Sequence, residues 1–85
     1  MSTKNADPQL RILGAHITEI RREAGYSQES FANFVGLDRS YYGGVERGER
    51  NIAAKNLIKI AAALEKEVGD LFPTVQTLIS PSDRH

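Results

Sequence analysis

Apolar residues in the first third of the chain fall at Leu10, Leu13, Ile17, Ile20 and Ala24, in alternating steps of three and four. A helix turns once per 3.6 residues, so this spacing draws one apolar stripe along one helix. Asp7 before Pro8 is a start signal, a capping side chain followed by Pro at the first helical position. Gly25 is a stop. Ser27 is the next N-cap, with Tyr26 and Phe31 placed for a hydrophobic staple across it. Phe31, Phe34 and Val35 carry the second helix, about Gln28 to Val35, up to Gly36. Leu37-Asp38 opens a third by the same device, with Leu37 stapling to Tyr42, and Gly48 ends it after Arg47. The loop "ERNIA" leads to a fourth helix, whose stripe is Leu57, Ile60, Ala61 and Leu64. The pattern predicts a short fifth helix from about Val68 to Phe72, stopped by Pro73. No stretch alternates with the period of a strand. The expected fold class is all-α, a compact five-helix domain.

The organisation expected is an N-terminal arm over residues 1–7, one domain over 8–79, and a disordered tail over 80–85. A chain of 85 residues, 40% hydrophobic, supports one small core. There is no Cys, which excludes disulfides and thiolate metal sites. No apolar run is long enough to span a membrane. "MSTKNADP" lacks the apolar middle of a secretory signal, so a cytoplasmic protein is expected.

The second and third helices are separated only by Gly36-Leu37. Gly36 can take the left-handed conformation a sharp reversal needs, and Ala32 is small enough for a close crossing. Two helices joined by a tight turn containing Gly form a helix-turn-helix. On a helical wheel, Tyr42 and Val45 of the third helix face one way. Ser40, Gly43, Gly44 and Arg47 face the other, with Arg39 at the N-terminal edge. The pair Gly43-Gly44 is a puzzle, because each glycine costs a helix interior about 0.5–1 kcal/mol relative to Ala. A face stripped of bulk and framed by guanidiniums suits close approach to a polyanion. The major groove of DNA admits an α-helix, and Arg reads guanine O6 and N7 bidentately. Arg39, Ser40, Tyr41, Gly43 and Gly44 are therefore the candidate base-reading positions. Gln28, Arg47, Arg50 and Asn51 are the candidate phosphate contacts, which position rather than specify.

The formal net charge is +0, whereas nucleic-acid-binding domains are usually basic. Local charge decides, and Arg39, Arg47 and Arg50 are expected to cluster on one surface, with helix N-termini at Gln28 and Arg39 adding free N–H donors. Acidic residues concentrate instead in the C-terminal part.

The stretch "YSQESFANFVGLDRSYYGGVERGERN" resembles the lambda-repressor/Cro-type helix-turn-helix family. Within it, "LDRSYYGGVERGERNI" resembles the controller proteins of restriction–modification systems. The resemblance covers about Leu10 to Phe72, with Gln28, Ala32, Gly36, Tyr42 and Val45 at the family's helix-start, small, turn and core positions. It implies a homodimer that binds an inverted-repeat operator on double-stranded DNA and regulates transcription, with RNA polymerase a further candidate partner. It also implies an internal ion pair between Arg21 of the first helix and Glu46 of the third. A phage-type repressor or an antitoxin-like helical interaction module is the alternative. Three positions depart from the family. Ala53 stands where a capping residue often begins the fourth helix, leaving Asn51 as a substitute cap. Lys66 replaces an apolar residue, and a large Tyr42 brings a hydroxyl that needs a partner or an exit to solvent.

Enzymatic readings are weak. His16 and His85 are the only histidines, with no matching carboxylate or thiol for a metal site or general base, and Ser40 has no base beside it. No cofactor, metal or small-molecule substrate is expected, and no membrane. Leu71, Phe72, Val75, Leu78 and Ile79 form an apolar surplus at the C-terminal end, the expected dimer interface.

Overall fold

The computed structural model describes residues 7–79. The expected arm and tail lie outside them, apart from Asp7, which belongs to the domain. Its carboxylate accepts from the backbone N–H groups of Gln9 (2.9 Å) and Leu10 (3.2 Å), and its own N–H donates to the Gly48 carbonyl (3.0 Å). It thereby caps α1 (Pro8–Glu23) and ties that helix to the end of α3. Then follow α2 (Gln28–Val35), α3 (Arg39–Arg47), α4 (Ala54–Leu64), a 3₁₀ turn (Val68–Leu71) and α5 (Val75–Leu78).

The caps of the central pair are those the sequence announces. Ser27 and Ser30 bond reciprocally, side chain to backbone, at the start of α2. Asp38 accepts from the Tyr41 N–H at the start of α3 (3.0 Å). Gly36 has φ +84°, and the Ala32 carbonyl accepts from the N–H groups of both Gly36 (3.0 Å) and Leu37 (2.9 Å). That closes the turn between α2 and α3. Tyr26 meets Phe31 with ring centroids 5.1 Å apart.

The structure departs from several expectations. Asn51 does not cap α4; the N-cap is Ala53, with no side-chain bond. Past Pro73 a second start signal was missed. Pro excludes the α conformation from Phe72 before it, so Val68–Leu71 closes as a single 3₁₀ turn. Thr74 then caps a separate short α5. At the Lys66 corner the helix ends on Glu65 in the left-handed region (φ +58°), where a side chain costs about 1 kcal/mol that glycine would not. Tyr42 has neither expected outlet: its hydroxyl is fully buried and has no hydrogen-bond partner among the described residues.

The core is Leu13, Ile17, Ile20, Phe31, Ala32, Tyr42, Ile60, Ala61, Leu64 and Leu71. α1 runs against α3 at van der Waals closeness. A Cβ at Gly14 would lie 2.5 Å from the Val45 carbonyl oxygen and nearer still to that of Glu46. Only glycine lets the backbones meet there. His16 adds a second tie, donating from Nε2 to the Asp70 carbonyl (3.1 Å). Leu71 is completely buried in the core, so it does not belong to an intermolecular surface. Phe72 and Val75 are exposed, and Leu78 and Ile79 are half-buried. These four, with Gln9, Leu10 and Leu13, line a cleft between the start of α1 and the C-terminal segment.

Candidate nucleic-acid interface

The orientation of α3 is set from below by a buried polar network. The Arg21 guanidinium donates from Nε to Glu46 Oε2 (2.7 Å), from Nη2 to Glu46 Oε1 (2.9 Å), and from Nη1 to the Tyr26 carbonyl (2.8 Å). Arg21 and Glu46 are 5% and 7% exposed, which places this pair where an unpaired charge would be very costly. Burial pushes the Glu46 carboxyl up, but the bonds from Arg21 and Gln28, with the Tyr42 and Thr18 hydroxyls nearby, outweigh it and hold the group below its ordinary value. The bond to Glu46 raises the Arg21 guanidinium. Burial, then the Glu46 carboxylate beside it, pushes the Tyr42 hydroxyl up. The ion pair implied by the family resemblance is thus present, with Tyr26 and Gln28 joined to it.

Above this network the start of α3 faces outward. Arg39 and Ser40 are exposed and Tyr41 is half-exposed. Gln28, Asp38, Arg39, Ser40 and Arg47 line one open cleft between the N-terminus of α2 and the face of α3. Of the candidate residues, Arg39, Ser40, Gln28 and Arg47 are therefore gathered at one cleft, while Tyr41 and Arg50 lie together toward α4. Asn51 is exposed in the loop beyond them.

Two features of this face differ from expectation. Gly43 and Gly44 are buried, not bare. The tips of Arg47 and Gln28 lie over Gly43, and the stem of Arg50 lies over Gly44. A wheel of one helix sets Arg47 beside Gly43 but could not show the rest of the cover, which comes from Gln28 of α2 and Arg50 of the loop after α3. Gln28 is also drawn inward, its Nε2 donating to Glu46 Oε1 (2.9 Å).

The second difference is charge. Arg39 sits 3.6 Å from Glu29 and Arg47 sits 3.1 Å from Glu49, all four side chains well exposed. With Asp38 also on this face, the local balance is close to neutral rather than positive. Exposed pairs of this kind contribute little and exchange readily, so a phosphate can displace the carboxylates. Arg50 has no acidic partner within 4 Å among the described residues, and instead lies over the Tyr41 ring (6.0 Å to the centroid). Tyr41 Oη accepts from Asn56 Nδ2 on α4 (3.2 Å). Glu29, Glu49 and Asn56 were not singled out from the sequence. The first two carried a signal in their spacing from the turn and from Arg47; Asn56 carried none.

No helix among the described residues is long and apolar enough to cross a membrane.

Comparison with known proteins agrees with this architecture. The helix-turn-helix family profile matches residues 17–71. The control protein C.MunI of Mycoplasma sp is 41% identical over 64 residues, which are 74% of this chain and 86% of that protein. The crystal structure of the restriction–modification controller protein C.AhdI from Aeromonas hydrophila superposes with a TM-score of 0.71 at 49% identity. It covers 74% of this chain and 96% of that one. The controller C.Esp1396I bound to a 19 base pair DNA duplex superposes with a TM-score of 0.68 at 33% identity, covering 85% and 92%. The chain belongs to the helix-turn-helix family, among the control proteins of restriction–modification systems.

Proposed function

We propose that this chain is a sequence-specific DNA-binding regulator of transcription that controls restriction–modification genes and binds inverted-repeat operators as a homodimer. The observation that carries the reading is the exposed start of α3. Arg39 and Ser40 are exposed there beside the capped N-terminus of α2, with Arg47 in the same cleft, and Arg50 lies over the Tyr41 ring. Arg39 reaches base edges in the major groove. Arg47, Arg50, Asn51 and the backbone N–H groups at the start of α2 hold phosphates. No catalytic step belongs to this reading.

Binding titrations against the DNA upstream of its own gene, beside scrambled duplexes, test both the function and the roles. Arg39→Ala should lose about 1–3 kcal/mol of discrimination at one base pair per half-site. Arg50→Ala should weaken cognate and scrambled DNA alike and flatten the salt dependence by roughly one phosphate contact. The opposite pattern would exchange the two roles, and an absence of preference for any upstream sequence would end the reading.

Dimerisation rests on the cleft at the C-terminal end. Phe72 and Val75 are 37% and 67% exposed there, next to half-buried Leu78 and Ile79. An apolar patch joined to a groove marks a contact surface, and a two-fold dimer would set two α3 helices about one DNA turn, ~34 Å, apart. Sedimentation equilibrium at micromolar concentration should give a dimer for the wild type and a monomer for Val75→Asp. A monomeric wild type would remove the interface.

A further inference from the structure

The glycine pair, so costly inside a helix, has a use that the free protein makes visible. The chain reverses after Gly48, and the Gly44 carbonyl accepts from the N–H groups of Glu49 (2.8 Å) and Arg50 (3.3 Å). This lays Arg50 back along α3. Its Cγ lies 2.7 Å from where a Cβ of residue 44 would be, with Cβ at 3.7 Å and Cδ at 3.8 Å. The stem therefore rests flat on the bare helix backbone. One turn earlier the guanidinium meets the Tyr41 ring, and the Tyr41 hydroxyl is held from α4 by Asn56.

We propose that Gly44 is a positioning residue, a seat in α3 that holds the Arg50 side chain extended over Tyr41 and so sets its guanidinium in place before DNA arrives. The proposal rests on the DNA-binding reading above. It differs from a glycine that simply clears space for DNA. On this account the space is already filled, by a side chain of the same chain. Arginine has four rotatable side-chain bonds, and ordering them on binding weakens affinity. A seat that orders them beforehand removes that loss. A Cβ at residue 44 would stand 2.7 Å from Arg50 Cγ, so the stem must leave its seat. Gly43 lies under the tips of Arg47 (Nη1, 3.0 Å) and Gln28 (Oε1, 3.2 Å), contacts that a shift of a few tenths of an ångström relieves. Its effect is therefore smaller.

The test is a double-mutant cycle on the duplex the wild type protects from cleavage, read by equilibrium titration. Gly44→Ala should melt within a few degrees of the wild type, because the helix preference of alanine offsets the displacement of the Arg50 stem. It should bind about 3–10-fold more weakly than wild type. In an Arg50→Ala background the same substitution should change affinity less than about twofold, because the seated side chain is gone. Equal losses in both backgrounds would mean that DNA itself meets Gly44, and no loss in either would mean that the seat is idle; each overturns the proposal. A second measurement needs no DNA. The ¹⁵N order parameter of Arg50 Nε–H should be high in the wild type and fall in Gly44→Ala. A low value in the wild type would overturn the seat. Failure of the wild type to bind any duplex would overturn the functional reading, while this relaxation measurement would still decide whether Gly44 orders Arg50.

Discussion

Arg21→Ala should unfold a large fraction of the protein at physiological temperature. The substitution removes two bonds to Glu46 and one to the Tyr26 carbonyl, and leaves a buried carboxylate with only Gln28 as a close hydrogen-bond donor. Breaking a buried pair from one side costs about 3–5 kcal/mol. Whole-protein stability is typically about 5–15 kcal/mol, and small domains lie toward the low end. Acid should partly relieve the defect. In the wild type the Glu46 pKa is depressed on folding, so its stabilisation is full above the unfolded carboxyl value, about 4.3. It is lost as pH falls through the lower folded value. In Arg21→Ala burial acts without its main opponent, the folded pKa rises above the unfolded one, and the sign reverses: the variant recovers as pH falls. The stability gap between wild type and variant should therefore shrink from pH 7 toward pH 4 in urea titrations. Replacing both partners, Arg21→Met with Glu46→Leu, should restore much of the stability, because no charge is then left buried. A gap that stayed constant with pH would mean that the Glu46 carboxylate is not the source of the loss.

This network also separates what the sequence shows from what it hides. The helix boundaries around the turn were legible because their signals are local. Ser27, Gly36, Asp38 and Gly48 each act within a few residues of themselves. The Arg21–Glu46 pair was legible only by resemblance to relatives, since 25 residues separate its members. Covering of the glycines was not legible at all. It depends on the return of the chain after Gly48 and on the reach of Gln28 from α2, neither of which a single wheel contains. Leu71 was misassigned for a similar reason. Its apolar character fits a surface surplus as well as a core, and only the packing of the 3₁₀ turn against α1 and α4 decides for the core. Charge misled in a similar way: Glu49 stands two residues from Arg47 in sequence, but its pairing, and that of Glu29 with Arg39, is visible only in the fold.

Gly14 is the position whose importance the sequence concealed most completely, since it interrupts a regular apolar stripe with nothing to mark it. Gly14→Ala should lower the melting temperature by more than about 10 °C. In an unpacked helix the same change would stabilise by up to about 1 kcal/mol. Here the added Cβ would meet the Val45 carbonyl oxygen at 2.5 Å and the Glu46 carbonyl carbon at 2.7 Å. These are backbone atoms in the middle of a helix, so no side chain can turn away to make room. Either α1 or α3 must move as a unit, and overpacking of this kind costs typically about 1–3 kcal/mol, sometimes more. Each kcal/mol corresponds to about 4–8 °C in a domain of this size. Moving α3 also moves the residues it presents. Arg21 would lose its alignment with Glu46, and Arg39 would leave its place beside the start of α2. The variant should consequently bind DNA poorly even at temperatures where it remains folded, which loss of stability alone would not produce. Gly69→Ala is the control, because nothing lies within 4 Å of its added Cβ and its φ lies outside the left-handed region. It should melt within a few degrees of the wild type and bind normally. If Gly14→Ala melted like Gly69→Ala, the contact between α1 and α3 would be looser than the structure describes, and Gly14 would have no part in setting the height of the recognition helix.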